Sequence, residues 1–223
     1  MRKLEKILSL DAASPVVSVA VADETGVLAS RSVELRRSSR RLMGFVDETL
    51  EEAGWAVAEL TGLVALRGPG SFTGLRVGLA TIYGLHQALG IPATAVPTLE
   101  VLAYAARERA GERKIVAAVD VIRGEWAVQT FSPDSPDDPP RALDEARRVP
   151  AEELSSLGPA LLVGFGVSGL ELPEASGLEP FEPEALAPAA ALKAVRHPPE
   201  WNADLLTEPL YFRPPSVSLP KRR

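Results

Sequence analysis

Glu100 is the only formally charged residue between positions 77 and 106. The overlapping segment Leu75–Leu89 carries leucine and isoleucine on one helical face and small residues on another, which predicts a helix that is apolar nearly all round. Such a helix must be covered on both sides, and one of the two covers is the sheet of its own domain. Gly90 stops this helix and Ile91–Val96 is predicted as a strand, so the stretch favours a layered α/β chain over a membrane span.

The surrounding sequence alternates extended segments with amphipathic helices. In the segment Ser39–Ala53, apolar residues recur at helical spacing while glutamates fill the opposite side, and Gly54 supplies a stop. Helices placed between strands require crossover connections, so the pattern predicts a mixed sheet in an α/β fold. The predicted strands are Leu4–Asp11, Val16–Ala22, Val27–Leu35 and Leu63–Leu66, and a further helix is predicted over Leu99–Arg109.

The opening pattern returns after residue 113. Ile7–Asp11 and Val116–Asp120 are both short apolar runs that end in aspartate, which suggests a duplicated fold with one domain over residues 1–110 and a smaller one over 111–223. Of the 20 prolines, 16 follow residue 131, so we expect the second domain to be degenerate and rich in loops, with a mobile tail over Ser216–Arg223.

Composition removes several kinds of chemistry. The chain has no cysteine, which excludes disulfides, thiolate ligands and a cysteine nucleophile. Its two histidines, His86 and His197, lie far apart and form no metal-binding pair, so we predict no metal site, although a carboxylate site for Mg²⁺ stays open. His86 is interpreted as a structural residue and His197 as loop surface. A net charge of −6 opposes broad binding to nucleic acid. Met1–Lys6 does not resemble a signal peptide, so we expect a cytoplasmic protein without a membrane partner.

Two turns carry the residue types that a phosphate needs. The first follows the opening strand, where a carboxylate could hold a metal–phosphate complex, and the second is a glycine-rich turn that leads from a strand into a helix. The second turn is not a P-loop, because it contains no lysine. The structural alternatives are an aspartate that caps its turn, a serine N-cap and glycines at positive φ. The candidate phosphate-facing residues are Asp11, Gly68, Gly70, Ser71 and Thr73.

A compact basic cluster precedes the first helix. Arg36, Arg37, Arg40 and Arg41 oppose the dipole at that helix N-terminus. They could contact the carboxylates of a partner or the phosphates of tRNA, or they could form a solvated cluster that balances nearby acids. The sequence leaves these alternatives open.

The glycine-rich segment Gly68–Gly78 closely resembles the signature of the bacterial TsaB (YeaZ) family, whose members are partners in making N6-threonylcarbamoyladenosine (t6A) in tRNA. The resemblance implies an actin-like ATPase fold, the superfamily of acetate and sugar kinases, Hsp70 and actin, with two ribonuclease-H-like halves of which the second is degenerate. Weaker matches run in order along the chain at Ile7–Asp11, Arg41–Ala53, Gly90–Pro92, Pro97–Glu100, Asp120, Arg123–Glu125, Leu161–Gly164 and Pro209–Arg213.

The resemblance also implies a non-catalytic role. In this family the related subunit TsaD holds the metal and transfers the threonylcarbamoyl group, TsaB pairs with TsaD, and the ATPase TsaE binds the pair. Relatives often keep a histidine where this chain has Ser38, and they have Asp-Thr-Ser where it has Asp11-Ala12-Ala13. We therefore expect no catalytic residue here, tRNA contact only through the complex, and ATP or ADP only at a composite site with TsaD or TsaE.

The second apolar side of Leu75–Leu89 predicts a partner surface, since soluble proteins seldom leave such a patch exposed. The resemblance implies that this surface pairs with TsaD, and a shared fold lets the same surface form a homodimer when the chain is alone. The alternative is a central core helix. The predicted interface residues are Leu42, Phe45, Val46, Val77, Ala80, Thr81, Gly84 and Ala88.

Two enzyme interpretations compete with this role. The first is a Mg-ATP-dependent small-molecule kinase that uses Asp11 and Asp120, with Gly164–Gly166 and Ser168-Gly169 as the candidate adenosine-binding turn. The second is a peptidase, which neither a metal pair, a cysteine nor a catalytic triad supports.

Overall fold

The structure is a computed structural model that describes residues 5–34, 42–122, 124–135 and 138–212. The basic cluster and the predicted mobile tail lie outside these residues. The strands and helices are β1 (Ile7–Asp11), β2 (Val16–Asp23), β3 (Gly26–Glu34), α1 (Leu42–Ala53), β4 (Gly62–Leu66), α2 (Phe72–Leu89), β5 (Ala93–Val96), α3 (Thr98–Ala110), β6 (Ile115–Ile122), β7 (Glu125–Ser132), β8 (Arg141–Ala142), β9 (Arg147–Pro150), α4 (Ala151–Leu154), β10 (Ala160–Val163), β11 (Leu178–Phe181) and α5 (Ala187–Arg196).

Two mixed sheets repeat one arrangement of strands. The first has the order β3-β2-β1-β4-β5, in which β2 is antiparallel and β4 parallel to β1. The second has the order β11-β10-β6-β7-β8, with β9 also paired to β7; here β7 is antiparallel and β10 parallel to β6. Each sheet is therefore built around its first strand, which confirms the predicted α/β fold with two ribonuclease-H-like halves.

The central strands of the first sheet are covered on both faces. All five residues of β1 and all five of β4 are buried, as expected for parallel strands between layers. Helices α1 and α2 pack on one face, where Leu8 and Leu10 meet Phe45, Leu79 and other core residues. The opposite face of β1 and β2 is covered by α5.

The two halves exchange helices. Helix α3 follows the first sheet in sequence but packs on β6 and β10, whereas α5 follows the second sheet but packs on β1 and β2. The hydroxyl of Ser18 accepts a hydrogen bond from the Ala187 amide at 3.1 Å, which joins α5 to β2. One apolar cluster runs from Val64 in β4 through Leu102 in α3 to Leu161 in β10. The division at residue 110 stays a prediction.

Short elements replace long ones in the second half. Between α4 and α5 the connections contain the 3₁₀ helices Ser155–Leu157, Val167–Gly169 and Glu174–Ser176. Two further 3₁₀ helices, Val57–Glu59 and Ala203–Thr207, lie beside the first sheet. Among the described residues, no helix combines the length and apolar character that a bilayer crossing requires.

Candidate functional site: an interdomain cleft and a helix face

The glycine-rich turn lies directly against the turn that follows β1. A Cβ atom on Gly74 would overlap the carbonyl oxygen of Ala12, and one on Gly70 would lie 2.6 Å from that of Ala13. A Cβ atom on Gly78 would come within 3.1 Å of the Leu10 side chain. These glycines are therefore needed for the close approach of α2 to β1 and its turn.

The polar groups of the same turn are used within the chain. The amide of Ser71 donates to the Ala13 carbonyl at 2.7 Å, and the Ser71 hydroxyl accepts from the Gly74 amide at 3.2 Å. The second of these contacts makes Ser71 the N-cap of α2, and the first joins the two turns. The carbonyl of Gly68 accepts from the Thr98 amide at 2.8 Å, while Thr73 is exposed on the first turn of α2.

Asp11 is fully buried behind this turn. Its Oδ1 accepts hydrogen bonds from the amides of Ala13 at 2.8 Å and Ser14 at 3.2 Å, and its Oδ2 has no hydrogen-bond partner among the described residues. Burial raises the pKa of Asp11 to about 6, because the charged carboxylate loses its hydration, while the hydrogen bonds from Ser14 and Ala13 pull the pKa down. Asp11 therefore caps its own turn.

A cleft of about 730 Å³ opens between the two sheets. Of the predicted phosphate-facing residues, Gly70 and Ser71 line it, together with Asp120 of the second sheet, whereas Asp11, Gly68 and Thr73 do not. The described residues that line it are Ala13, Ser14, Pro15, Val16, Glu34, Pro69, Gly70, Ser71, Val119, Asp120, Phe165, Gly166 and Glu182.

Carboxylates set the charge of this cleft. Glu34 ends β3, Asp120 lies near the end of β6 and Glu182 follows β11, so both sheets contribute acids. The amides of Ser168 and Gly166 donate to the Glu182 carboxylate and hold its pKa below the usual range. Among the lining residues that the structure describes, the charged ones are these three acids.

Helix α2 exposes a stripe of small residues. Ala80, Gly84 and Ala88 are exposed, as is Tyr83 beside them, and no atom lies within 4 Å of a Cβ built on Gly84. Val77 and Thr81 are partly buried. The described part of the chain thus covers one side of α2. The buried residues on that side include Gly74, Leu75, Gly78, Leu79 and Ile82.

Three of the predicted interface residues belong to α1, and the structure places them in the core rather than on the surface. Leu42, Phe45 and Val46 are at most 8% exposed and pack in the core beneath α1. The expectation that they lie on the surface with α2 is therefore wrong for this chain by itself, since their apolar stripe faces β2 and β3. Met43, at 48% exposed, is an apolar side chain that α1 does present.

A contact that sequence reasoning missed fixes the segment before residue 213. The Leu210 amide donates to the Arg67 carbonyl at 2.7 Å, and the Tyr211 ring stacks on Phe72 with centroids 4.9 Å apart. Arg76 lies 4.1 Å above the Phe72 ring and donates to the Tyr211 hydroxyl at 3.2 Å. The adjacent aromatic residues Tyr211 and Phe212 were the available signal. This aromatic clamp also borders a groove of about 470 Å³ along α2.

Comparisons with known proteins agree with this two-sheet fold. A family model described as TsaD: tRNA N6-adenosine threonylcarbamoyltransferase matches residues 26–130. The tRNA threonylcarbamoyladenosine biosynthesis protein TsaB of Escherichia coli K12 is 33% identical over 124 residues, which are 55% of this chain and 54% of that protein. A crystal structure from Pseudomonas aeruginosa, described as similar to peptidase YEAZ, superposes with a TM-score of 0.73 at 26% identity, over 94% of this chain and 100% of that one. The chain is similar in sequence and in fold to proteins of the TsaB (YeaZ) family.

The chain spans about half the length of the curated relatives that it matches. Its fold extends further than that family. The component A of (R)-2-hydroxyglutaryl-CoA dehydratase from Acidaminococcus fermentans has a TM-score of 0.51 at 11% identity, covering 86% of this chain and 97% of that one. This more distant likeness shows the shared fold alone.

The actin-like fold implies a magnesium nucleotide in the cleft, but the residues of this chain do not fit one. Asp11 is buried and caps its turn, and the Ser71 amide and hydroxyl are bonded within the chain. The described lining presents carboxylates where a polyphosphate needs donors or cations. We therefore derive no reaction step through a nucleotide.

The histidines have structural contacts. His86 Nδ1 is hydrogen-bonded to the Ile91 carbonyl at 2.7 Å and so ties the end of α2 to the approach of β5. The expectation that His197 is loop surface is wrong, because the residue is partly buried with its ring edge-on to Tyr104. In the described part of the chain, no group of three or more histidine, aspartate or glutamate residues lies close enough together to hold a metal ion.

Proposed function

We propose that this chain is the non-catalytic scaffold and activating subunit that pairs with TsaD, with TsaE binding the pair, in t6A modification of tRNA in the cytoplasm. The observation that carries the proposal is the exposed stripe Ala80-Gly84-Ala88 on α2. Small side chains let two helix backbones approach closely, and an apolar helix face of this kind gains free energy when a partner covers it. The tRNA is reached through the complex.

Similarity to the TsaD family model supports the identity of the partner. The match covers residues 26–130, which include both α1 and α2. Two proteins with the same helix pair can form a pseudo-symmetric contact through that surface, and two copies of one chain can form the symmetric equivalent. We therefore expect a homodimer of the isolated chain that is replaced by a heterodimer when TsaD is present.

The cleft supports a non-catalytic subunit over the kinase alternative. A kinase of this fold would need Asp11 and Asp120 on opposite sides of one Mg·ATP, but Asp11 is buried outside the cleft lining. Calorimetric titration of the chain with Mg·ATP is expected to show no binding at ordinary kinase affinity. Nucleotide would then bind only at a composite site formed with TsaD or TsaE.

A reconstituted reaction tests the proposal. Cognate TsaD and TsaE, threonylcarbamoyl-adenylate, ATP and tRNA are combined with and without this chain, and modified adenosine is measured. The chain should raise the rate, Gly84→Arg should lose that gain, and Gly169→Arg should keep it. Gly169 is the matched control, since its Cβ would also meet no atom within 4 Å but lies in the second half. Equal product with and without the chain would refute the scaffold role.

A further inference from the structure

The groove of about 470 Å³ lies between α2 and the chain segment 206–211. Ala80 lines this groove and is also the first residue of the exposed stripe, so the groove is continuous with the proposed TsaD surface. The 3₁₀ helix Ala203–Thr207 packs on α2, and the aromatic clamp holds the end of the segment against the same helix. The groove therefore extends the proposed partner surface from one helix onto a second part of the chain.

The groove gathers side chains of the kinds that contribute most to binding at protein interfaces. In the described part of the chain, the exposed aromatic residues are Tyr83 at 41% and Tyr211 at 39%, and both line the groove. Leu79 and Pro209 add apolar surface. Tyrosine and arginine are enriched among the residues that dominate interface affinity. Two exposed tyrosines at one groove therefore indicate a binding surface rather than scattered surface residues.

Arg76 is the charged residue among the described residues that line the groove. It is exposed, its described contacts are with the Phe72 ring and the Tyr211 hydroxyl, and no described carboxylate pairs with it. The sequence after Glu208 contains no acidic residue, so the segment that follows the groove has no carboxylate to offer. The aromatic clamp thus holds the guanidinium at the groove and leaves its terminal N–H groups for a carboxylate of another molecule.

We propose that TsaD fills this groove with a helix that carries an apolar side chain and a carboxylate one turn apart, an inference that rests on the proposed function. Arg76 and Ala80 are separated by one turn of α2, about 6 Å along its axis. An apolar side chain that packs on Ala80 and the two tyrosines therefore places an acid one turn away beside Arg76. The stripe provides close helix packing, and the groove adds a charge requirement that selects the partner.

Calorimetric titration with TsaD at several salt concentrations tests the charge. Arg76→Met keeps a long side chain without the charge, so it should weaken binding by about tenfold at low ionic strength and flatten the salt dependence of Kd. Arg76→Lys keeps the charge and should retain most of the affinity. Arg141→Met is the matched control, because it removes an exposed arginine of the second half that does not line the groove. An unchanged Kd for Arg76→Met, or an equal change for Arg141→Met, would overturn the proposal.

Substitutions at Thr207 test the groove itself. Thr207 lines the groove, and its hydroxyl donates to the Asp204 carbonyl at 2.8 Å. Thr207→Trp fills the groove and should weaken TsaD binding by about tenfold, whereas Thr207→Ala loses the same hydrogen bond, leaves the groove open and should bind normally. Glu208→Trp places the same ring at an exposed neighbour outside the lining and should also bind normally. Thermal unfolding checks the fold of each variant. Equal binding by Thr207→Trp and Thr207→Ala would rule the groove out.

The variant Gly84→Arg separates this inference from the proposed function. If Gly84→Arg loses TsaD while Arg76→Met and Thr207→Trp bind it normally, the stripe is the partner surface and the groove is not part of it. If the unaltered chain does not bind TsaD, both proposals are refuted. If Arg76→Met weakens a homodimer of the isolated chain by the same factor as the TsaD complex, the groove is not specific for TsaD and the inference is wrong.

Discussion

The two sheets have the same strand order but different connections between their strands. In the first half, β3 leads to β4 through the 12-residue helix α1, and β4 leads to β5 through the 18-residue helix α2. In the second half, the matching connections contain the four-residue helix α4 and 3₁₀ helices of three residues. One topology can therefore keep its sheet while losing the long helices that can carry a partner surface.

The first strand of each sheet has an aspartate at or near its end, and the two aspartates differ in environment. Asp11 is fully buried because α2 and its glycine-rich turn close over it, whereas Asp120 is exposed in the cleft. Both halves nevertheless follow their first parallel strand with a glycine turn. A Cβ atom on Gly164 would overlap the Ala118 carbonyl, just as one on Gly74 would overlap that of Ala12. In both halves a glycine turn thus lies close to the first strand or to the turn after it. The two halves differ in the length of the helix that follows this glycine turn.

The largest expected effect is a loss of stability when the close approach of α2 to β1 and its turn is disturbed. Gly74→Ala should lower the free energy of unfolding by about 3 kcal/mol or more, because a new methyl group displaces backbone atoms of the Ala12 turn. In the same helix, Gly84→Ala should raise it by about 0.5–1 kcal/mol, because its Cβ meets open space and alanine favours the helix. Urea unfolding of both variants measures the difference. Equal effects at the two positions would mean that α2 does not approach β1 as described.

The next effect concerns the pH dependence of stability. Burial raises the pKa of Asp11 from 3.8 to about 6, so the folded state binds a proton more tightly than the unfolded state does. Protonated Asp11 therefore adds up to about 3 kcal/mol to the free energy of unfolding below pH 4, and this contribution is lost as the pH rises through 6. Urea unfolding at pH 4.5 and pH 7.5 should show this slope in the unaltered chain.

Asparagine substitutions assign that slope to one aspartate. Asp11→Asn keeps the turn-capping oxygen and should abolish this part of the pH dependence, so that the variant is more stable than the unaltered chain above pH 6. Asp120→Asn is the matched substitution in the exposed strand end of the second half and should leave the slope in place. A slope that survives Asp11→Asn would show that the carboxyl is not desolvated.

The smallest effect concerns the aromatic clamp. Tyr211→Ala removes the stacking on Phe72 and the hydrogen bond from Arg76, and should cost about 1 kcal/mol because the ring is 39% exposed. Tyr211→Phe keeps the stacking and should cost less than about 0.5 kcal/mol. Thermal unfolding compares the two variants. A larger loss for phenylalanine than for alanine would contradict the stacking role.

The strands of the first half could be predicted because continuous apolar runs such as Ile7–Asp11 identify buried parallel strands directly. Strands β9 and β11 could not, since each has four residues, carries arginine or proline, and owes its position to pairing with a distant strand. The exchange of α3 and α5 between the sheets was also beyond reach, because periodicity shows that a helix has an apolar face and not which sheet covers it.

The same limit explains the errors at the candidate site. The apolar stripe of α1 was real, but spacing alone did not show that Phe45 and Val46 face their own core while Ala80 and Gly84 of α2 stay exposed. Asp11 was recognised at the end of its strand, yet its burial depends on glycines more than fifty residues away. Contacts of this kind form only when the chain is folded, and local sequence carries little record of them.

The central claim is that the exposed α2 stripe is the surface that binds TsaD. Size-exclusion chromatography with light scattering on mixtures with TsaD tests it most directly, using the unaltered chain, Gly84→Arg and the control Gly169→Arg, each checked for its fold by circular dichroism. A long charged side chain buried in a close helix contact weakens it by several kcal/mol, so we predict a 1:1 complex for the unaltered chain and for Gly169→Arg, and separate proteins for Gly84→Arg. A correctly folded Gly84→Arg variant that still forms the complex with TsaD would contradict the account.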